Sequence, residues 1–171
     1  MAATLEDFMR LPEGTLAEFI GGEILMSPSP KARHQQIALR IWKALDAWVG
    51  AKGLGRVDAA PLDVHLPSGD VVQPDVLFVS STRLSIVQDW IRGAPDLVVE
   101  VLSPETRRRD LDVKAELYAR NGVRESWFVD PDAAGIEVKT PAGRDRFGGT
   151  DRLTSRLLPG FELRLDDVFA P

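Results

Sequence analysis

The sequence predicts a mixed α/β fold, with helices packed on a central β-sheet. Three observations carry this. From Pro30 to Val49, Ile37, Ile41, Leu45 and Trp48 recur at spacings of three and four, the period of an amphipathic helix. "LVVEVLS", starting at Leu97, is almost continuously apolar, as a central strand covered on both faces would be. "RDLDVKAELYARNG" then returns to a helical period, and "ESWFVDP" reads as a further strand.

Taken in order, "TLEDFMRL" predicts a short helix with Thr4 as N-cap and acidic residues in its first turn. "LAEFIGGEILMSP" predicts a hairpin turning at Gly21-Gly22. The long helix starts near Ser29-Pro30 and stops at Gly50 and Gly53. "RVDAAPLDVHLP" and "VVQPDVLFVS" predict two consecutive antiparallel strands joined by "SGD". "STRLSIVQDWIRGAP" has an ambiguous pattern that accommodates a short helix. After the Leu97 strand, Asp110 reads as the N-cap of a helix ending at Asn121-Gly122. The tail offers shorter strands in "GIEVKT", "RDRFGG" and "GFELRL". The core order is therefore αβββαβ behind an N-terminal hairpin, in a single domain over residues 1–171.

Composition narrows the function classes. No cysteine is present, which excludes disulfides, thiolate metal sites and a cysteine nucleophile. No apolar run reaches membrane-spanning length, and the opening lacks a basic region followed by an apolar stretch. A cytoplasmic protein is expected. The net charge of −5 argues against non-specific coating of nucleic acid, although Arg107, Arg108 and Arg109 form one compact basic cluster.

Three charged residues break the packing pattern. Glu100 stands among Leu97, Val98, Val99, Val101 and Leu102, where an ionised carboxylate costs about several kcal/mol unless paired or bound to a metal. Asp75 lies inside "VVQPDVLFVS", next to Pro74, which cannot donate a ladder hydrogen bond. Lys114 shares a helix face with Leu111 and Tyr118, from which its ammonium reaches back toward Glu100. If the Asp75 and Glu100 strands are neighbours, all three converge. Two adjacent carboxylates repel, and a divalent cation resolves that; oxygen ligands favour Mg²⁺ or Mn²⁺. The competing reading is a structural ion pair between Glu100 and Lys114 or an arginine.

The blocks "EFIGGEILMSPSPKARHQQI", "QPDVLFV", "APDLVVEVLSPETRRRD" and "KAELYARNGVRESWFVDP" resemble the Uma-type family of predicted restriction endonucleases. The resemblance runs from about Leu16 to Pro131. It implies a restriction-endonuclease-like fold of the PD-(D/E)XK superfamily, a divalent metal and a DNA substrate. On it, Asp75 matches the first acid, Glu100 the second, and Lys114 the lysine that positions or activates water. The wider superfamily places that lysine two residues after the second acid, where this chain has Leu102. The resemblance also implies the Val101 backbone carbonyl as a further ligand. Glu18 and Glu23 flank the hairpin turn, and either can complete the acidic cluster, with Glu23 the first choice. His34, three and four residues before Ile37 and Ala38, faces inward from the long helix with Gln35 beside it, and histidine is a common base near neutral pH. Arg107 and Arg109 are candidate phosphate contacts. A homodimer would let one site address each strand.

Two further functions compete with a metal-dependent DNA endonuclease. One is a nuclease-fold module that binds nucleic acid or a protein partner without cutting, which Leu102 and the acidic balance favour. The other is a hydrolase of small phosphorylated molecules.

Overall fold

A computed structural model describes residues 2–171. It opens with α1 (Leu5–Met9), closed at its start by a reciprocal Thr4–Asp7 capping box. Strands β1 (Ala17–Ile20) and β2 (Glu23–Met26) form the expected hairpin, and Gly21 and Gly22 supply the two positive φ angles its tight turn requires. The long helix α2 (Ala32–Lys52) ends at Gly53 in the left-handed conformation. It begins slightly later than expected, with Lys31 at the cap position.

Strands β3 (Gly55–Ala59), β4 (Val64–His65), β5 (Val71–Val72) and β6 (Val76–Ser80) follow. A 3₁₀ turn (Ser81–Ile86), β7 (Ile91–Arg92) and β8 (Leu97–Val101) come next. A π-helical turn (Arg109–Lys114) then runs into α3 (Ala115–Arg120) and β9 (Glu125–Asp130). The tail adds β10 (Gly135–Thr140), β11 (Gly143–Gly148), β12 (Arg152–Thr154), β13 (Glu162–Arg164) and α4 (Leu165–Phe169).

The main sheet has the order β11-β10-β9-β8-β6-β3. Its only parallel pair is β8 with β9, joined through α3 as a crossover requires. Reading α2, β3, β6, β8, α3 and β9 along the chain gives the αβββαβ core. A second sheet, β2-β1-β5-β4-β7, stands beside it.

Two expected strands each divide between these sheets. The "RVDAAPLDVHLP" segment becomes β3 and β4, and "VVQPDVLFVS" becomes β5 and β6. The breaks fall around Pro61 and Pro74, which lack the N–H a continuous ladder needs. At the crossing, the Ala60 N–H donates to the Asp75 carbonyl at 3.0 Å. The chain thus bends immediately before β6, at the residue that carries the Asp75 carboxylate.

Side chains alternate across the main sheet. Val76, Phe78, Leu97, Val99, Val101, Trp127 and Val129 pack against Ile37, Ile41 and Leu45 of α2 and against the tail. Leu77, Val79, Val98, Leu102 and Phe128 face the other way, onto Leu117 and Tyr118 of α3 and onto the second sheet. Asp75 and Glu100 belong by parity to this second face. Among the described residues, no helix is long and apolar enough to cross a membrane.

Candidate active site

The β6–β8 ladder pairs Val76 with Val99 and Leu77 with Val98. One step further in the same register sets Asp75 opposite Glu100. The approach is close: Asp75 Oδ2 accepts a hydrogen bond from the Val101 N–H at 2.6 Å. The condition for convergence is therefore met in the geometry.

Lys114 Nζ lies 2.6 Å from Glu100 Oε1 and donates to Glu18 Oε1 at 2.8 Å. The ammonium is buried, as is Glu100, which is only 4% exposed. Tyr118 donates its hydroxyl to the same Glu100 Oε1. Lys114 and Tyr118 are four apart, so the end of the π-helical turn and the first turn of α3 deliver both donors from one face. Asp110 is also buried here, 4.0 Å from Lys114 Nζ, and Arg109 lies 3.6 Å from Glu18 Oε2. Four carboxylates thus share one ammonium and one guanidinium.

That imbalance shows in the protonation equilibria. Burial raises the Glu100 carboxyl well above the usual range; Lys114 opposes this, while Asp110, Glu18 and Asp75 add to it. Burial likewise raises Asp75 against the pull of His34 and the Val101 N–H. Burial also pushes Glu18 up, but Lys114, the Gln73 N–H and Arg109 outweigh it and hold its carboxyl below the ordinary value. Burial disfavours the Lys114 charge, yet Glu100, Glu18 and Asp110 more than compensate, so Lys114 stays an ammonium. Burial, reinforced by Glu100 and Glu18, keeps the Tyr118 hydroxyl protonated.

The cluster floors a cavity of about 570 Å³ lined by Glu18, Asp75, Glu100, Asp110 and Lys114, with His34, Gln35, Lys31, Arg33 and Arg109 around it. His34 Nε2 lies 2.8 Å from the Val101 carbonyl and 3.5 Å from Asp75 Oδ2. A carbonyl only accepts, so Nε2 is the donor in that contact, while Nδ1 is buried without a hydrogen-bond partner among the described residues and does not reach the cavity. Gln35 is exposed at the cavity mouth.

The chemistry of the donors suits a hard divalent cation. Asp75 Oδ1 and Glu100 Oε2 accept no hydrogen bond from the described residues and are not among the buried unpaired oxygens, so both retain access to the cavity. The Val101 carbonyl keeps a second lone pair beside the His34 contact. Among the described residues, no three His, Asp or Glu side chains converge as a complete cage. Mg²⁺ needs none, since it commonly takes one or two carboxylates and fills its octahedron with water and phosphate oxygens.

Several expectations change. Glu23 is exposed at the turn end of β2 and does not line the cavity, whereas Glu18 points into it. The hairpin pairs Glu18 with Leu25 and Ile20 with Glu23, so Glu23 sits two residues further along, beyond the cleft. Asp110 is not a helix cap but a buried member of the cluster, because the chain is already helical before it and its own N–H donates to the Thr106 carbonyl. Arg107 is committed to Asp130 at 2.5 Å, outside the cavity, while Arg109 turns in. Tyr118 carried no expectation beyond core packing. Its spacing from Lys114 was the available signal.

No curated protein matches the sequence. Among solved structures, the chain is similar to one described as a "putative nuclease belonging to DUF820" from Anabaena variabilis ATCC 29413. The TM-score is 0.85 at 23% sequence identity, covering 98% of this chain and 97% of that one. At that identity the likeness speaks to the fold, which is restriction-endonuclease-like as the sequence predicts. The model of the Uma2 family, described as "Putative restriction endonuclease", matches residues 5–166, and the chain belongs to that family.

Proposed function

We propose that the protein is a divalent-metal-dependent endonuclease that hydrolyses phosphodiester bonds in DNA. The observation that carries this reading is the convergence of Asp75 and Glu100 on paired strands, each with one oxygen open to the cavity, beside the Lys114 ammonium. Asp75, Glu100 and the Val101 carbonyl would hold Mg²⁺ or Mn²⁺. The cation would polarise a phosphoryl oxygen and lower the pKa of a bound water. Lys114 places a fixed positive charge where negative charge develops on the phosphoryl group. Glu18 and Glu100 hold that ammonium in place, so it pays little reorganisation during reaction. Arg109, Arg33 and Lys31 line the cavity and suit the flanking phosphates.

A binding role without cleavage has one observation of its own. Leu102 is buried in the apolar cluster at the position where the wider superfamily keeps its lysine, and the alternative Lys114 is tied to two carboxylates. Incubation of the purified protein with plasmid and with single-stranded DNA separates the readings. With Mg²⁺ or Mn²⁺ we expect cleavage that a chelator stops and that Asp75→Ala and Glu100→Ala each reduce on the order of 100-fold or more. Cleavage that survives both substitutions overturns the site. DNA binding without cleavage under every metal condition selects the alternative.

A further inference from the structure

The two carboxylates are held in the same way at one oxygen each. Asp75 Oδ2 is taken by the Val101 N–H at 2.6 Å. Glu100 Oε1 is taken by the Tyr118 hydroxyl and lies 2.6 Å from Lys114 Nζ. Tyr118 is fully buried, and its ring packs in the cluster that includes Val98, Leu102, Leu117, Val123 and Phe128. In such surroundings a hydroxyl must find a partner or lose its hydration without return. Among the described residues it finds only Glu100.

We infer that Tyr118 is a positioning residue for the metal site: with Lys114 it saturates Glu100 Oε1 and leaves Oε2 as the single oxygen Glu100 presents to a cation. This rests on the reading of Asp75 and Glu100 as the metal-holding pair. The physical argument is geometric. A carboxylate has about four lone-pair sites over two oxygens, and two donors on one oxygen use that oxygen up. Glu100 is then confined to one-oxygen ligation. That mode suits Mg²⁺, whose octahedral demand leaves little tolerance for a loosely held two-oxygen ligand. Without the hydroxyl, the carboxyl group can rotate about its terminal torsion, which is intrinsically soft. Lys114 cannot prevent this alone, because its ammonium is shared with Glu18. Groups that orient a metal ligand from behind are typically worth about 10–100-fold in metal affinity.

The test titrates Mn²⁺ calorimetrically into the wild type, Tyr118→Phe, Glu100→Gln and Leu117→Val, and records each metal-free unfolding temperature. Tyr118→Phe keeps the ring and its packing and removes only the hydroxyl. Leu117→Val disturbs the same buried helix face without touching Glu100. We expect saturable binding in the wild type, none in Glu100→Gln, and a dissociation constant raised about 10-fold or more in Tyr118→Phe. Leu117→Val should bind as the wild type does while unfolding at lower temperature. Wild-type affinity in Tyr118→Phe overturns the inference and leaves the metal site standing. An equal loss in Leu117→Val overturns it too, since packing would then explain the effect. If the wild type shows no binding that Glu100→Gln removes, the metal site itself fails and the inference with it.

Discussion

Strand β8 has a buried carboxylate at each end, and the two are answered in opposite ways. Asp96, fully buried just before the strand, accepts from the Ser80 N–H at 2.8 Å and meets Arg83 at 3.1 Å and Arg124 at 3.7 Å. One acid there has two guanidinium groups. Glu100, four residues on, shares a single ammonium with Glu18 and Asp110. Asp96 lines no part of the cavity, whereas Glu100 forms its floor. Burial of an acid therefore does not mark a site. The mark is burial together with too little compensating charge and an opening through which a cation or a phosphate can enter.

Removing the counter-charge is the strongest way to break this contrast. Lys114→Met leaves Glu18 and Glu100 buried without their shared ammonium, and breaking a buried pair in this way costs about 3–5 kcal/mol. Urea unfolding at neutral pH should show that loss. It should shrink as the pH falls, because protonated carboxyls need no partner. A loss of stability that persists unchanged in acid would mean the lysine matters through packing instead. Asp96→Asn comes next in size. It keeps the shape but removes the charge that Arg83 and Arg124 meet, and both arginines are partly exposed and screened. We expect about 1–3 kcal/mol of destabilisation with DNA cleavage and Mn²⁺ binding unchanged. A change in either function at this end of β8 would erase the distinction between the two acids.

The readable part of the molecule is the part where local pattern records burial. The α2 period and the continuous apolar run of β8 announce their elements because each side chain reports its own face. Asp75, Glu100 and Lys114 were legible for the same reason, as charges interrupting apolar periods. Other features depend on distant partners. Pro74 reads as a local irregularity and Pro61 carries no expectation, but the chain passes from one sheet to the other around both. Glu18 and Glu23 both flank the hairpin turn, and the sequence does not choose between them until β5 is placed beside β1, when the Gln73 N–H at 2.9 Å ties Glu18 into the cluster. Asp110 resembles a helix cap because an acid before an apolar helical run has that local form, and the π-helical winding instead buries it. Tyr118 counts as an aromatic in any hydrophobic period, so only its spacing of four from Lys114 marks it and nothing local shows where its hydroxyl goes.

The smallest expected effect sharpens the comparison most, because its sign is unusual for a carboxylate. In the folded chain, burial first and then Asp110, Glu18 and Asp75 hold Glu100 well above its ordinary value of 4.5, with Lys114 opposing them. The folded state thus binds this proton more tightly than the unfolded chain does. Stability from Glu100 is full below the unfolded value and declines as the pH rises through the folded one, the reverse of a carboxylate stabilised by its partners. Glu100→Gln cannot titrate, so its stability should decline less across that window. Above it, the variant should be more stable than the wild type by about 1 kcal/mol, the trade expected where a site is held under electrostatic strain. Unfolding midpoints from pH 4 to pH 8, at about unit intervals, read this directly. A parallel profile for Glu100→Gln and wild type would show that Lys114 fully compensates Glu100. The two ends of β8 would then be alike, and Glu100 would be a structural acid as Asp96 is.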